Sequence, residues 1–345
     1  MGFRVTAKDV AKLAGVTPAT VSYVLNDTPH QTISPETRQR VLDAVAELRY
    51  VPNVTAKNLK KRTSHCIGVV IQKNLTIFRF NQTLQGIQDA LSENGYNVLL
   101  CGIDKRNNLY PEYICVYLEQ QVDGIIFLSK ENIGPNDEAK KAIAKFRIPF
   151  VAFDCQDKSV FYSSVDFDYE QSAYEVTHKM MSVCSVKLIY IRPSIDTIQE
   201  RLREQGVHQA MTNFPDRKLM ILSPQIEMSI LDAGEHCGIH VSQADLDNFC
   251  NTLRDCGKEA GHLAEEGDGL LFSWEIFTRI VLPCLSYHNL LIGKLARSSA
   301  IIDDTSICAI LPNYKAGREC ANLILNQIQN GTIENVTILP PIDVK

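Results

Sequence analysis

The first residues suited to a specific chemistry lie in a polar stretch near the start of the chain. Thr6 and Asp9 have the capping-box spacing of a first helix, and Gly15 can adopt the positive φ of a sharp helix end. Thr17 and Pro18 have the spacing of an N-cap and a first helical residue, so a second helix begins there. Two short helices joined by a glycine-containing turn are typical of a helix-turn-helix unit. Its second helix would offer the major groove of DNA a polar face of Thr17, Ala19, Thr20, Ser22, Tyr23 and Asn26.

The charge of the chain supports a nucleic-acid partner for this end. The whole chain of 345 residues has a formal net charge of −5. Residues 1–63 contain ten Lys or Arg and five Asp or Glu, so this segment is basic and the remainder is acidic. A basic head on an acidic body would confine phosphate binding to one end of the molecule.

Beyond residue 66, short apolar runs alternate with segments of helical periodicity. The runs at 67–71, 96–101 and 122–128 are mostly apolar, and single helices separate them. This alternation predicts a parallel sheet covered on both faces, and it resumes after residue 165. The predicted fold class is therefore α/β, with an all-α three-helix headpiece followed by two doubly wound parallel-sheet lobes.

Sequence motifs that indicate an enzyme, a metal site or a membrane span are missing. The chain contains no P-loop, no Gly-x-Gly-x-x-Gly after a strand, no Gly-x-Ser-x-Gly and no His-Glu-x-x-His. Its eight histidines form no ligand array, and its eleven cysteines are scattered as small apolar residues. No apolar run approaches the ~20 residues of a membrane span. We predict a cytoplasmic protein without catalytic residues, metals or cofactors.

Three stretches, 6–26, 33–42 and 48–53, closely resemble the DNA-binding headpiece of the LacI–GalR repressor family. The rest of the chain is similar to the two-lobed core that this family shares with periplasmic binding proteins. The resemblance implies a headpiece at 1–51, a hinge helix at 52–63, lobe one at 64–162 plus 312–330, and lobe two at 163–311 plus 331–345.

The short basic segment after the headpiece matches the hinge pattern of that family. In the family, this hinge becomes a helix on operator DNA and wedges a leucine into the minor groove. Leu59 lies between Lys57 and Lys60, which suits a minor-groove wedge with phosphate contacts on both sides. The alternative is that Leu59 packs on the body of the protein. The residues we predict to contact DNA are Thr6, Thr17, Pro18, Ala19, Thr20, Ser22, Tyr23, Asn26, Arg38, Asn53, Ala56 and Leu59.

The resemblance also implies an effector site between the lobes. Asp154, Arg201 and Asp303 match family positions that face the ligand, and the planar guanidinium of Arg201 would hold sugar hydroxyls. Alternatively, each of these residues could be a helix cap or a surface ion pair. The predicted effector-binding set is Phe78, Arg79, Phe80, Asp154, Arg192, Arg201, Trp274 and Asp303.

Several positions depart from the family pattern. Arg79 and Arg192 bring additional positive charge, which leads to the hypothesis of an acidic or phosphorylated effector. Trp274 stands where the family usually has an Asn-Asp pair, and it could stack on a ligand ring or fill the lobe. Tyr23 replaces an arginine that is common in the family, so the preferred operator should differ at the base it contacts.

The function implied by the resemblance is transcriptional regulation. We expect a homodimeric repressor that binds a pseudo-palindromic operator and responds to a sugar or sugar derivative. Two alternatives remain within this class, namely control by a corepressor and control by a partner protein. A different class, a solute-binding protein without a DNA function, would share the core but would need a signal peptide and no headpiece.

Overall fold

The computed structural model describes residues 5–26, 32–51, 63–71, 78–106, 110–128, 132–184, 186–227, 242–285, 289–297 and 306–344. The chain divides into two compact units, Met1–Ser64 and His65–Lys345.

The first unit contains three helices, α1 (Ala7–Ala14), α2 (Pro18–Leu25) and α3 (Pro35–Glu47). Each helix is preceded by a hydroxyl-bearing N-cap residue with an extended backbone, namely Thr6, Thr17 or Ser34. Gly15 ends α1 with a φ of 67°. The helices are short, so tertiary packing rather than helix propensity holds them. Their buried faces meet in one small core of Val10, Ala11, Ala14, Val21, Val24, Val41 and Ala44.

The second unit contains two sheets. The first consists, in spatial order, of the parallel strands β13 (Asn335–Ile338), β7 (Ser163–Phe167), β6 (Phe150–Phe153), β5 (Gly124–Leu128), β1 (Cys66–Ile71) and β2 (Asn97–Cys101). The strands β3 (Lys105–Arg106) and β4 (Tyr110–Pro111) form a separate two-stranded antiparallel sheet. Apolar clusters cover both faces of the first sheet, one under α4 (Phe78–Glu93) and α11 (Asn313–Asn330), the other under α5 (Glu112–Leu118) and α6 (Asp137–Phe146).

The second sheet has the order β14 (Ile342–Val344), β12 (Ser306–Ile310), β11 (Leu291–Arg297), β10 (Gly269–Phe272), β8 (Lys187–Ile191) and β9 (Lys218–Leu222). Only β14 is antiparallel among these strands. One face packs on α7 (Tyr169–Val183) and α8 (Ile198–Met211), the other on α9 (Gln243–Leu263), α10 (Glu275–Val281) and the 3-10 turn Leu282–Cys284. The predicted fold class is confirmed.

The boundaries between the lobes differ from our prediction at two places. We placed residues 163 onward in lobe two, but β7 (Ser163–Phe167) is part of the first sheet. We also placed 331–345 in lobe two, but β13 pairs with β7, and only β14 joins the second sheet. The polar sequence of β7 concealed a buried strand, whose Ser163 Oγ accepts a hydrogen bond from the backbone N–H of Glu334 at 3.1 Å. Among the described residues, no helix is both long and apolar enough to cross a membrane.

Candidate functional site

The outer face of α2 is a polar surface in which hydrogen bonds are local. Thr17 accepts from the backbone N–H of Thr20 at 3.2 Å, which fixes the start of the helix. At the other end, the Asn26 side chain donates to the carbonyl of Ser22 at 2.7 Å. Tyr23 is 36% exposed, and its hydroxyl makes no hydrogen bond to another described residue. Its hydroxyl is therefore the group on this face that is most available to an external partner.

The other predicted DNA contacts have different settings. Pro18 and Ala19 are exposed at the start of α2, while Arg38 is half-buried on α3. Thr6 is exposed, but its Oγ1 donates to Asp9 at 2.7 Å, and this bond lowers the pKa of the Asp9 carboxyl. The predicted hinge contacts Asn53, Ala56 and Leu59 lie outside the described residues.

A second polar group lies where strands of both sheets end. We call it the inter-sheet cluster and define it as Arg79, Asp154, Tyr169, Arg192, Glu200, Arg203, Glu204, Ser273 and Trp274. Parallel strands place their carboxyl ends at one edge of each sheet, and residues that follow β6, β8 and β10 meet there.

Asp154 follows β6 and is the acidic centre on the first sheet. It is 1% exposed, and its backbone has a φ of 55°, a left-handed conformation that Asp adopts more readily than most residues. Tyr169 donates to its carboxylate at 2.8 Å, and Arg79 lies 3.2 Å from it. Burial raises the pKa of Asp154 to about 6, against the opposing effects of Arg79 and Tyr169.

Arg203 connects Asp154 to the second sheet through the ring of Tyr169. Its guanidinium carbon lies 5.1 Å from the ring centroid, and its Nη1 donates to Glu200 at 3.0 Å. The whole residue is 1% exposed. Its Nε and Nη2 have no hydrogen-bond partner among the described residues, although buried donors are normally satisfied. This free edge is a planar fork that could hold two oxygens of a small ligand.

Glu200 is the acidic centre on the second sheet and is fully buried. Trp274 Nε1 donates to its carboxylate at 2.9 Å, and Ser273 Oγ lies 2.6 Å from its Oε2. Arg192 approaches the same carboxylate, with its Nε 3.8 Å from Oε2. Trp274 is therefore part of the cluster through its indole N–H, and its ring belongs to the apolar core of the second sheet.

The two additional arginines both have carboxylate partners. Arg79 pairs with Asp154, and Arg192 contacts Glu204 as well as Glu200. Because these positive charges are neutralised within the protein, they no longer favour an acidic effector.

Both the headpiece and the two-sheet unit match models of known protein families. Residues 6–53 match the family described as bacterial regulatory proteins, lacI family. Residues 64–343 match the periplasmic binding proteins and sugar binding domain of the LacI family. The chain belongs to the LacI family.

Relatives of this LacI-family chain include named transcriptional regulators. RegA of Clostridium saccharobutylicum is 33% identical over 174 residues, which cover 50% of this chain and 51% of RegA. Catabolite control protein A of Priestia megaterium is 30% identical over 209 residues, or 60% and 61% of the two proteins. MalR of Streptococcus pneumoniae is 33% identical over 215 residues, or 61% and 63%. The matched regions thus span 51% to 63% of these relatives.

Solved structures share the fold along nearly the whole chain. The lac repressor dimer bound to operator and the anti-inducer ONPF has a TM-score of 0.72 and 17% identity, covering 99% of this chain and 98% of that one. The regulator CelR in complex with cellobiose has a TM-score of 0.58 and 22% identity, with coverages of 99% and 98%. A LacI-family regulator from Enterococcus faecium with bound ribose has a TM-score of 0.58 and 17% identity, with coverages of 81% and 96%.

The position of Arg201 requires a correction of the predicted effector site. Arg201 has a side chain that is 53% exposed and pairs with Asp196, whereas Arg203 lies in the inter-sheet cluster. The reason is the phase of α8, because a helix turns 100° per residue and only one face can meet the cluster. Gly206 marks that face, since an added Cβ would lie 2.1 Å from the Glu170 carbonyl of α7. A residue three positions earlier lies on the same face, so the glycine was the signal that could have identified Arg203.

The remaining predicted effector residues divide into three groups. Asp154, Arg79, Arg192 and Trp274 lie in the cluster. Phe80 is 1% exposed in the core of the first sheet, and its ring centroid lies 4.7 Å from the guanidinium carbon of Arg79, so it touches the cluster without a hydrogen bond. Phe78 is 43% exposed at the start of α4. Asp303 lies outside the described residues. The prediction missed Tyr169, Glu200, Arg203, Glu204 and Ser273.

Proposed function

We propose that this LacI-family chain is a sequence-specific DNA-binding transcriptional regulator that represses its targets and responds to a small polar ligand. The observation that carries the proposal is the exposed face of α2, held by a three-helix core in the same chain as a sugar-binding-type core. Tyr23, Ser22 and Thr17 supply hydroxyl groups that can hydrogen-bond base edges in the major groove. The basic composition of residues 1–63 supplies attraction to phosphates.

For the ligand, we propose a sugar or sugar derivative bound at the inter-sheet cluster. The free edge of Arg203 offers two buried donors for neighbouring hydroxyls, and Asp154 offers a buried acceptor. Solved transcriptional regulators of the same fold contain cellobiose and ribose, which supports this ligand class for the present chain.

We further propose that the active form is a homodimer and that it works in the cytoplasm, where it meets chromosomal DNA. One headpiece reads one half-site, so two-fold symmetry of the protein would match a pseudo-palindromic operator. The hinge contacts Asn53, Ala56 and Leu59 remain part of this proposal. A role in binding rather than catalysis accords with the relatives, which are named as transcriptional regulators.

Selection of bound sequences from random DNA by the purified protein tests the DNA-binding function. We expect a palindrome of two half-sites, and a variant with Ser22 and Tyr23 both changed to alanine should lose the preference. Gln39→Ala, an exposed change on α3, is the matched control and should select the same palindrome. A wild-type protein that selected no sequence would contradict the proposal.

The proposed regulation by a sugar is tested by measuring operator affinity with and without each of a panel of neutral sugars. Release from the operator by a sugar would identify an inducer, and tighter binding would identify a corepressor. If no sugar altered operator affinity while the palindrome was still selected, control by a partner protein would replace the sugar in the proposal.

A further inference from the structure

Glu200 lies at the centre of a ring of hydrogen-bond donors. Trp274 Nε1 donates at 2.9 Å and Arg203 Nη1 at 3.0 Å, while the Ser273 hydroxyl lies 2.8 Å and 2.6 Å from the two carboxylate oxygens. Arg192 adds a guanidinium whose Nε is 3.8 Å from Oε2. The donors come from the carboxyl ends of β8 and β10 and from α8 itself. Such a convergence of buried donors and cations is the chemistry of an anion-binding site.

The anion in this site belongs to the protein. Glu200 is in the first turn of α8, its carboxylate is 0% exposed, and Thr197 caps the helix by accepting from the Glu200 backbone N–H at 3.2 Å. The helix start is therefore fixed, and the side chain delivers its charge into the donor ring. A ligand carboxylate or phosphate that sought the donors of Trp274, Ser273 and Arg203 Nη1 would find them occupied by Glu200.

The charges of the inter-sheet cluster are also balanced without a ligand. Three guanidinium groups, those of Arg79, Arg192 and Arg203, face three carboxylates, those of Asp154, Glu200 and Glu204. A further anion would be buried without a cation of its own, and such burial is strongly unfavourable. A neutral molecule carries no such penalty.

We propose that Glu200 determines the charge specificity of this site, because its carboxylate occupies the donors of an anion-binding site and balances the positive charge of the cluster, and so excludes acidic effectors. The proposal rests on the proposed function for its regulatory meaning, since it concerns the effector site of that function. What remains for a ligand is the Nε and Nη2 edge of Arg203 and the Nε of Arg192, buried donors without a hydrogen-bond partner that neutral hydroxyl groups can use.

Acetate is the probe that tests this assignment. Glu200→Ala removes Cγ, Cδ and both carboxylate oxygens, which correspond to the heavy atoms of an acetate ion. The variant should therefore bind acetate in the vacated space, at least about tenfold more tightly than the wild type does. Trp274 is the only tryptophan of the chain, so its fluorescence emission reports on the indole N–H that faces the site. We expect the emission of the variant to shift and acetate to reverse the shift.

Two further variants make the result specific. Glu204→Ala removes the other carboxylate that contacts Arg192 but leaves the Ser273 and Trp274 donors occupied, so acetate should leave its emission unchanged. Glu200→Gln keeps the side-chain volume and should fold even if the alanine variant does not. Because it leaves the cluster with one more positive than negative charge, it should bind inorganic phosphate about tenfold more tightly than the wild type.

The outcomes separate this inference from the proposed function. Acetate affinity that is equal in Glu200→Ala and wild type would overturn the assignment, as would equal phosphate affinity in Glu200→Gln and wild type. The assignment would also be overturned if titration of the wild-type protein with phosphate changed the Trp274 emission and so revealed binding. All of these titrations are performed without DNA, so their result does not depend on whether the headpiece selects an operator.

Discussion

The outer face of α2 is held by hydrogen bonds between residues close in the sequence, whereas the inter-sheet cluster is held by hydrogen bonds between residues far apart in it. On α2, the hydrogen bonds join residues three or four positions apart, such as Thr17 with Thr20 and Asn26 with Ser22. In the cluster they join residues 75 positions apart at Arg79 and Asp154 and 74 apart at Trp274 and Glu200. The α2 face is exposed and open to a partner, whereas the cluster is buried and largely self-satisfied. Substitutions should therefore change recognition on α2 and stability in the cluster.

The largest effect should come from Arg203→Ala. This change leaves Glu200 buried without its closest cation, and the loss of one partner of a buried ion pair costs about 3–5 kcal/mol. Arg201→Ala is the matched control two positions away, since its ion pair with Asp196 is exposed and contributes less than about 1 kcal/mol. Urea denaturation followed by Trp274 emission measures both, because that residue lies in the core. Equal losses for the two variants would contradict the assignment of Arg203 to the cluster.

The same pair of arginines shows how far the sequence alone could lead. Thr6, Gly15, Thr17 and Pro18 act through neighbours in the chain, so their spacing was enough to predict α1, α2 and the face that α2 exposes. The effector site depends on which face of α8 meets the second sheet. A shift of two residues turns a helix by 200°, and this separates Arg201 from Arg203.

The lobe boundaries were missed for a related reason. The strand β7 contains Ser163, Ser164 and Asp166, so it is not an apolar run, yet all three are buried. Their polar groups find partners on other segments, such as the backbone N–H of Gln156, which donates to Asp166 at 2.8 Å. Pairings of this kind are fixed by the tertiary structure and leave no period in the sequence.

The next effect is a pH dependence caused by Asp154. Burial raises its pKa in the folded protein to about 6, so between about pH 4 and 6 the folded state holds a proton that the unfolded state releases. The free energy of unfolding should therefore fall as the pH rises through this window, by on the order of 3 kcal/mol. Asp154→Asn should remove this part of the dependence, as measured by urea denaturation at a series of pH values.

Asp157 provides a control with the opposite sign. Although burial alone would raise its pKa, hydrogen bonds from Lys140 and Tyr162 lower it overall. Its contribution to stability is present above the unfolded pKa and is lost as the pH falls, so Asp157→Asn should remove a dependence of the other direction. An Asp154→Asn variant that kept the full wild-type profile between pH 4 and 6 would show that Asp154 does not carry the effect.

A smaller effect is expected in the headpiece from Thr17→Ala. The hydroxyl of Thr17 accepts from the backbone N–H of Thr20, and loss of such a cap costs about 1 kcal/mol. Hydrogen exchange of the Val21 and Val24 amides should accelerate, because both residues lie in the headpiece core. Thr212→Ala, which removes an exposed hydroxyl in the second unit, is the control and should leave the exchange of these amides unchanged. Unchanged exchange in Thr17→Ala would mean that packing alone holds α2.

The smallest effect on stability, and the most informative for recognition, should come from Tyr23→Phe. The residue is exposed and its hydroxyl has no partner among the described residues, so the free energy of unfolding should change by less than about 0.5 kcal/mol. If that hydroxyl reads a base, the preference for one base pair of the half-site should weaken by about 1–3 kcal/mol, with the other positions unchanged. Tyr50→Phe, on the half-buried ring after α3, is the control and should keep the selected sequence intact. A uniform loss of affinity across all sequences would instead indicate that Tyr23 contacts the phosphate backbone.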